Sequence, residues 1–214
     1  MGVVWSVTNA GRLRFLVLGD SIAYGTGAQQ LGDGIGPRLA RRLESHGYDV
    51  DVQVLAVPGA TSRDLGAQVR RAVKLGADLA LIVVGANDLT RLVPPAQAAA
   101  ALSSAVSVLR AAGARVVVAP APDLSDFPAV PQVVRPFVHQ ACLSLQRHQA
   151  AATEAAGGVV ATVSAELARV FAADPAMYSR DRFHPSSAGY ARIADVLTPY
   201  IVAAAGTAAL QPEH

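Results

Sequence analysis

Cysteine is nearly absent: Cys142 is the only one in 214 residues. No internal disulfide can form, and no paired-cysteine metal site exists. A lone cysteine without ligand spacing around it reads as a small core residue. Charge is also sparse, at 16% of residues, and nearly balanced, with a formal net charge of +2. No Lys/Arg cluster interleaves with the few aromatics, which argues against a nucleic-acid partner. No apolar run is long enough to span a bilayer. No His/Asp/Glu group has metal-ligand spacing, so neither a metal nor another cofactor is expected. The Gly-x-Ser-x-Gly elbow is missing. Gly25-Thr26-Gly27 and Gly32-Asp33-Gly34 lack the helix-opening pattern and the lysine of a phosphate-binding loop, which argues against a nucleotide. Met1 to Arg14 has no basic stretch followed by a long apolar one, so a cytoplasmic chain is the expectation. The match of Met1-Gly2-Val3-Val4-Trp5-Ser6 to an acylation pattern is only formal.

What is abundant is apolar residue, 52% of the chain, enough for one domain with a sizeable core. Short apolar runs at 13–18, 79–84, 115–119 and 159–163 read as buried strands. At 50–54, valines alternate with Asp51 and Gln53, the period of a half-exposed strand near a sheet edge. Helical patterns fall between them at 37–45, 62–75, 96–112 and 133–156. A last helix at 187–198 is expected to stop before Pro199. Ser62 is the expected cap of the second of these. The boundaries that follow are a disordered or weakly docked segment at 1–12, a single domain at 13–205, and a tail at 206–214. Such alternation predicts an α/β fold of three α/β/α layers, with a five-stranded parallel sheet in the flavodoxin-like order 2-1-3-4-5. Ligands of such sheets bind beyond the carboxyl ends of the strands, where the strand order reverses.

The chemistry-bearing residues follow the strand ends. Ser21, in Leu18-Gly19-Asp20-Ser21, comes directly after the first strand. Gly59, in Val57-Pro58-Gly59-Ala60, follows the second, and Asn87, in Gly85-Ala86-Asn87-Asp88, follows the third. Asp181 and His184 precede the last helix, where a loop can reach the same rim. A hydroxyl, an imidazole and a carboxylate are the parts of a nucleophilic acyl-transfer site.

These four blocks, in this order over about residues 13–190, make the chain similar to the SGNH hydrolases of the GDSL esterase/lipase superfamily. One departure is Ile22, where leucine often follows the serine. The resemblance implies an ester hydrolase working through an acyl-enzyme on a small-molecule ester or acyl substrate. Ser21 would be the nucleophile, and His184 the base, since an unperturbed imidazole titrates near pH 6.5. Asp181 would fix the imidazole's tautomer, with Asp174 near enough in sequence to compete for that role. The resemblance assigns oxyanion donation to the Ser21 and Gly59 N–H groups and the Asn87 side chain. Asp20 is expected to brace the nucleophile loop, and Asp88 to serve as a turn or cap residue. His46, His139, His148 and His214 lack a partner pattern. A substrate wall is expected from the Pro-rich segment 120–136, with Phe127, Val130 and Val133, and from Ile22, Tyr24 and Leu89. An apolar wall would favour an acyl chain over a bare acetyl group. The same residues leave open an acyltransferase using a sugar or alcohol acceptor, and a non-catalytic binding module on the same fold. They leave the oligomeric state undefined.

Overall fold

The computed structural model describes residues 11–127, 130–162 and 165–208. Its five parallel strands are β1 (Leu13–Gly19), β2 (Val50–Val54), β3 (Leu79–Val83), β4 (Arg115–Ala119) and β5 (Val159–Val160). They pair in the order β2-β1-β3-β4-β5. The sequence reading anticipated this order, because each connection between parallel neighbours needs a crossover helix. The helices are α1 (Ser21–Tyr24), α2 (Ile35–Ser45), α3 (Leu65–Leu75), α4 (Ala86–Thr90), α5 (Pro95–Ala111), α6 (Arg135–Ala155), α7 (Ala165–Ala173) and α8 (Ser187–Ala208).

The period of two in the central strands builds two cores. Phe15, Val17, Leu81, Val83 and Val117 face α2 and α8. Leu16, Leu18, Ile82, Val116 and Val118 face α3 and α5. Strands β1 and β3 are buried on both faces, which is why they read as continuous apolar runs. Their register sets Gly19 beside Val83, so β1 and β3 end at the same level. Everything that leaves those two ends therefore starts at one rim.

Several boundaries differ from the sequence reading. Helix α8 does not stop before Pro199 but continues to Ala208. It thereby takes in residues 206–208 of the expected tail; residues 209–214, like 1–10 of the expected N-terminal segment, lie outside the described residues. Proline inside a helix costs about 3 kcal/mol, yet Ile201, Ala204 and Ala205 beyond it are buried against the core. Their burial outweighs the lost hydrogen bond. Strand β5 is Val159–Val160, with the Ala161 N–H still donating to the Val118 carbonyl; residue 163 of the expected strand lies outside the described residues. Thr61, not Ser62, caps the segment before α3: it shares a reciprocal capping box with Asp64, and residues 62–64 form a 3₁₀ turn. Helix α7 had no counterpart in the sequence reading.

Candidate active site

The first strand hands the chain to the rim through Asp20, whose carboxylate accepts from the Ile22 N–H at 3.0 Å and caps α1. Ser21 is thus the first residue of that turn, not its cap, and it is 8% exposed. Burial of Asp20 pushes its carboxyl up to about 6, opposed by hydrogen bonds from the Ile22 and Gly85 N–H groups. The end of β1 is held from the opposite side by Gln68 of α3. Its amide accepts from the Gly19 N–H at 2.7 Å and donates to the Gly19 carbonyl at 2.9 Å.

His184 arrives at Ser21 across 163 positions of sequence. Its Nε2 lies 2.9 Å from the Ser21 hydroxyl oxygen, and its Nδ1 lies 2.6 Å from Asp181 Oδ2. An ionised carboxylate only accepts, so Nδ1 carries the proton and Nε2 accepts from the serine hydroxyl. The other Asp181 oxygen accepts from the His184 and Phe183 N–H groups, each at 2.9 Å, and from the Ser179 hydroxyl at 2.8 Å. Burial raises the Asp181 pKa, but these bonds together with that from the imidazole outweigh it, and the carboxyl is held well below the usual range. The turn closes through Arg182 at φ 56°. Asp174 is engaged elsewhere: it accepts from the Ala176 N–H and caps the 3₁₀ turn Pro175–Met177.

A second loop fixes the histidine segment, and it includes the Gly25-Thr26-Gly27 run that the sequence reading set aside. Gly27 has φ +92°, and a Cβ there would lie 2.6 Å from the Pro185 carbonyl and 2.9 Å from His184 Cβ. Only glycine permits that approach. The Tyr190 hydroxyl donates to the Thr26 carbonyl, and the Gln29 N–H donates to Ser187 Oγ. No spacing rule would have found this contact, because it joins residues more than 150 positions apart.

Gly59 sits in a reverse turn in which the Ala60 N–H donates to the Val57 carbonyl at 3.0 Å. Pro58 at the second position and Gly59 at the third, with φ +83°, fit a type II turn. The glycine is required by that φ rather than by crowding, since a Cβ would find only Arg91, at 3.8 Å. The Asn87 side chain donates to the Ala60 carbonyl at 3.0 Å, and Arg91 donates to the Gly59 carbonyl at 2.9 Å. One Asn87 amide hydrogen is left over. Among the described residues no acceptor takes the Ser21 or Gly59 N–H. Asp88 is fully buried and accepts from the Ser62 N–H and hydroxyl, tying α4 to the segment after Gly59.

Beside the serine and histidine lies a cavity of about 160 Å³. Ile22, Val83, Phe127, Phe171, Phe183 and Leu197 are among its walls. Two expected wall residues, Ile22 and Phe127, line it. Four do not. Tyr24 ends α1 half-exposed, and Val133 stands 79% exposed in a short 3₁₀ turn. Leu89 turns into a small cluster with Ala98, Ala121 and Leu145. Val130 is partly buried but away from the cavity, its N–H donating to the Phe127 carbonyl. The residues missed, Leu167 and Phe171, come from α7; their spacing on an Ala-rich stretch was the available signal. His139 does have a partner, Asp123 Oδ2 at 2.5 Å. Cys142 is buried, and burial raises its thiol to about 11, so it is a neutral core group. Among the described residues no helix is long and apolar enough to cross a membrane, and no cluster of His, Cys, Asp and Glu could hold a metal ion.

A doubly wound α/β domain with serine, histidine and aspartate hydrogen-bonded in line at its switch point defines the class of protein. Comparison with known proteins gives the family. The sequence model of the GDSL-like lipase/acylhydrolase family matches residues 17–192, and the chain belongs to that family. A GDSL-like esterase of Mycobacterium tuberculosis is 39% identical over 189 residues, which is 86% of this chain. The chain spans 60% of that relative's length. The crystal structure of TesA superposes with a TM-score of 0.72 at 24% identity, covering 89% of this chain and 99% of that one. A catalytic mutant of an acetylxylan esterase from Geobacillus stearothermophilus gives 0.73 at 20% identity, covering 91% and 96%. Both share the three-layer fold.

Proposed function

We propose that the protein is a serine-type carboxylic ester hydrolase acting on a small-molecule ester, with Ser21 as nucleophile, His184 as general base and Asp181 orienting the imidazole. The observation that carries this reading is the unbroken line from the Ser21 hydroxyl through His184 to Asp181, at 2.9 Å and 2.6 Å. A neutral hydroxyl attacks an ester only if a base takes its proton as the bond forms, and Nε2 is within reach. The name of the M. tuberculosis relative, a GDSL-like esterase, supports the ester-hydrolase part of this reading.

In the first half-reaction the Ser21 oxygen bonds to the carbonyl carbon and its proton passes to His184 Nε2. The carbonyl oxygen becomes an oxyanion, received by the Ser21 and Gly59 N–H groups and the spare Asn87 amide hydrogen. The carbon–oxygen bond to the alcohol then breaks, and the imidazolium gives its proton to the departing oxygen. In the second half-reaction His184 takes a proton from water, which attacks the acyl-serine. The acid leaves and the proton returns to Ser21. Charge created at each stage meets donors that are already oriented, and this lowers the barrier without reorganisation.

Turnover of chromogenic esters of graded acyl length by the wild type and Ser21→Ala tests the reading. Hydrolysis by the wild type that falls to background in the variant is expected. Wild-type rates no higher than those of Ser21→Ala at every chain length would refute it.

A further inference from the structure

Part of the wall of the cavity beside Ser21 is aromatic. Phe171 of α7 and Tyr178 meet edge to face, with ring centroids 5.3 Å apart. Both rings also line a second cavity of about 530 Å³, whose remaining walls include Ser179, Arg180 and Arg182. Phe171 and Tyr178, with Asp126 and Ala172, are thus shared between an apolar space on the serine side and a second space of mixed lining. The apolar cavity is also walled by Ile22, which follows the nucleophile, and by Phe183 and Pro185, which flank the base; Pro185 is bridged to Tyr178. The Phe183 ring packs against the His184 ring at 5.0 Å.

We propose that the inner cavity holds the acyl chain of the substrate and that the Phe171–Tyr178 pair is the stop that sets its length. The placement of the acyl carbonyl rests on the hydrolase reading above; the cavity and its partition do not. A cavity of about 150 Å³ lined by Leu, Ile and Phe stays dry and binds benzene. A space of about 160 Å³, walled mainly by Ile, Val, Leu, Pro and Phe, accordingly suits an unbranched tail of about six carbons. Its walls have little to offer sugar hydroxyls. Of its two carboxylates, Asp123 is already hydrogen-bonded to His139, and Asp126 faces Arg135 at 3.9 Å.

Burying one methylene is worth about a fourfold change in equilibrium, so kcat/KM is expected to rise roughly 200-fold from acetyl to hexanoyl esters. It should then fall as longer chains meet the ring of Phe171. Phe171→Ala joins the two cavities and moves the optimum to decanoyl or longer. Phe171→Trp, which keeps the wall filled, moves it below hexanoyl. Equal or better use of acetyl than hexanoyl by the wild type overturns the proposal, as do chain-length profiles in both variants that superpose on the wild type. Should no ester be turned over, the hydrolase reading falls but the cavity is still testable. Calorimetry of hexanoate and decanoate on Ser21→Ala should show tighter hexanoate binding, reversed in Ser21→Ala/Phe171→Ala. Equal affinity for both acids in both proteins overturns the proposal independently of catalysis.

Discussion

Asp20→Asn should change how the stability of this protein depends on pH. Asp20 is 1% exposed and stands directly before the nucleophile. Burial raises its carboxyl to about 6, against about 3.9 for an aspartate in an unfolded chain. Because folding raises this pKa, the folded state holds the proton more tightly than the unfolded one. The stabilisation is full below the unfolded value and is lost as pH rises through about 6. The shift of about two units corresponds to about 3 kcal/mol. Asparagine keeps an acceptor for the Ile22 N–H but loses one opposite Gly85, so its absolute stability can move either way. The difference between the two proteins isolates the charge. Urea unfolding of wild type and variant from pH 4.5 to 8 should show that difference shifting by about 2 kcal/mol in favour of asparagine. Parallel curves across the range would show that Asp20 is not a proton-retaining group, and the reasoning from its burial would fail.

Other substitutions probe the same rim. Asp181→Asn removes the acceptor that holds the proton on Nδ1 and should lower kcat by about 10⁴ with little change in KM, measured by steady-state ester hydrolysis. Asn87→Ala should lower kcat by about 10² to 10³ if its free amide hydrogen meets the oxyanion. Gln68→Leu leaves the buried Gly19 N–H unpaired, while the Gly19 carbonyl still accepts from the Val57 N–H, and should destabilise the fold by roughly 1–3 kcal/mol in chemical denaturation. Gly27→Ala drives a methyl group into the Pro185 carbonyl and should depress kcat more than KM by displacing His184 from Ser21.

Much of this architecture is legible in the chain because the local signals agree. Continuous apolar runs marked β1 and β3 as doubly covered, and the alternating valines marked β2 as an edge. The sheet rule then places Ser21, Gly59 and Asn87 at one rim from the sequence alone. What could not be read depended on contacts between distant residues. Pro199 is a helix breaker by local rules, and only the core that receives Ile201 and Ala205 carries α8 past it. The wall of the cavity was sought in the Pro-rich loop, yet about a third of it comes from α7 and the segment before Pro185, and the meeting of that segment with Phe127 is a tertiary event. The pairing of Gly27 with His184 and of Gln68 with Gly19 likewise has no local signature. Asp181 is the opposite case: three residues from His184, it reaches the ring through one tight turn, a span that local geometry can judge.

The central claim is that the Ser21 hydroxyl is a nucleophile because His184 removes its proton. Brief exposure to a fluorophosphonate followed by peptide mass spectrometry tests it most directly. The account predicts a single adduct on Ser21 in the wild type, formed at least a hundredfold more slowly in His184→Ala. Labelling of another residue, or an equal rate at Ser21 without the imidazole, would contradict it.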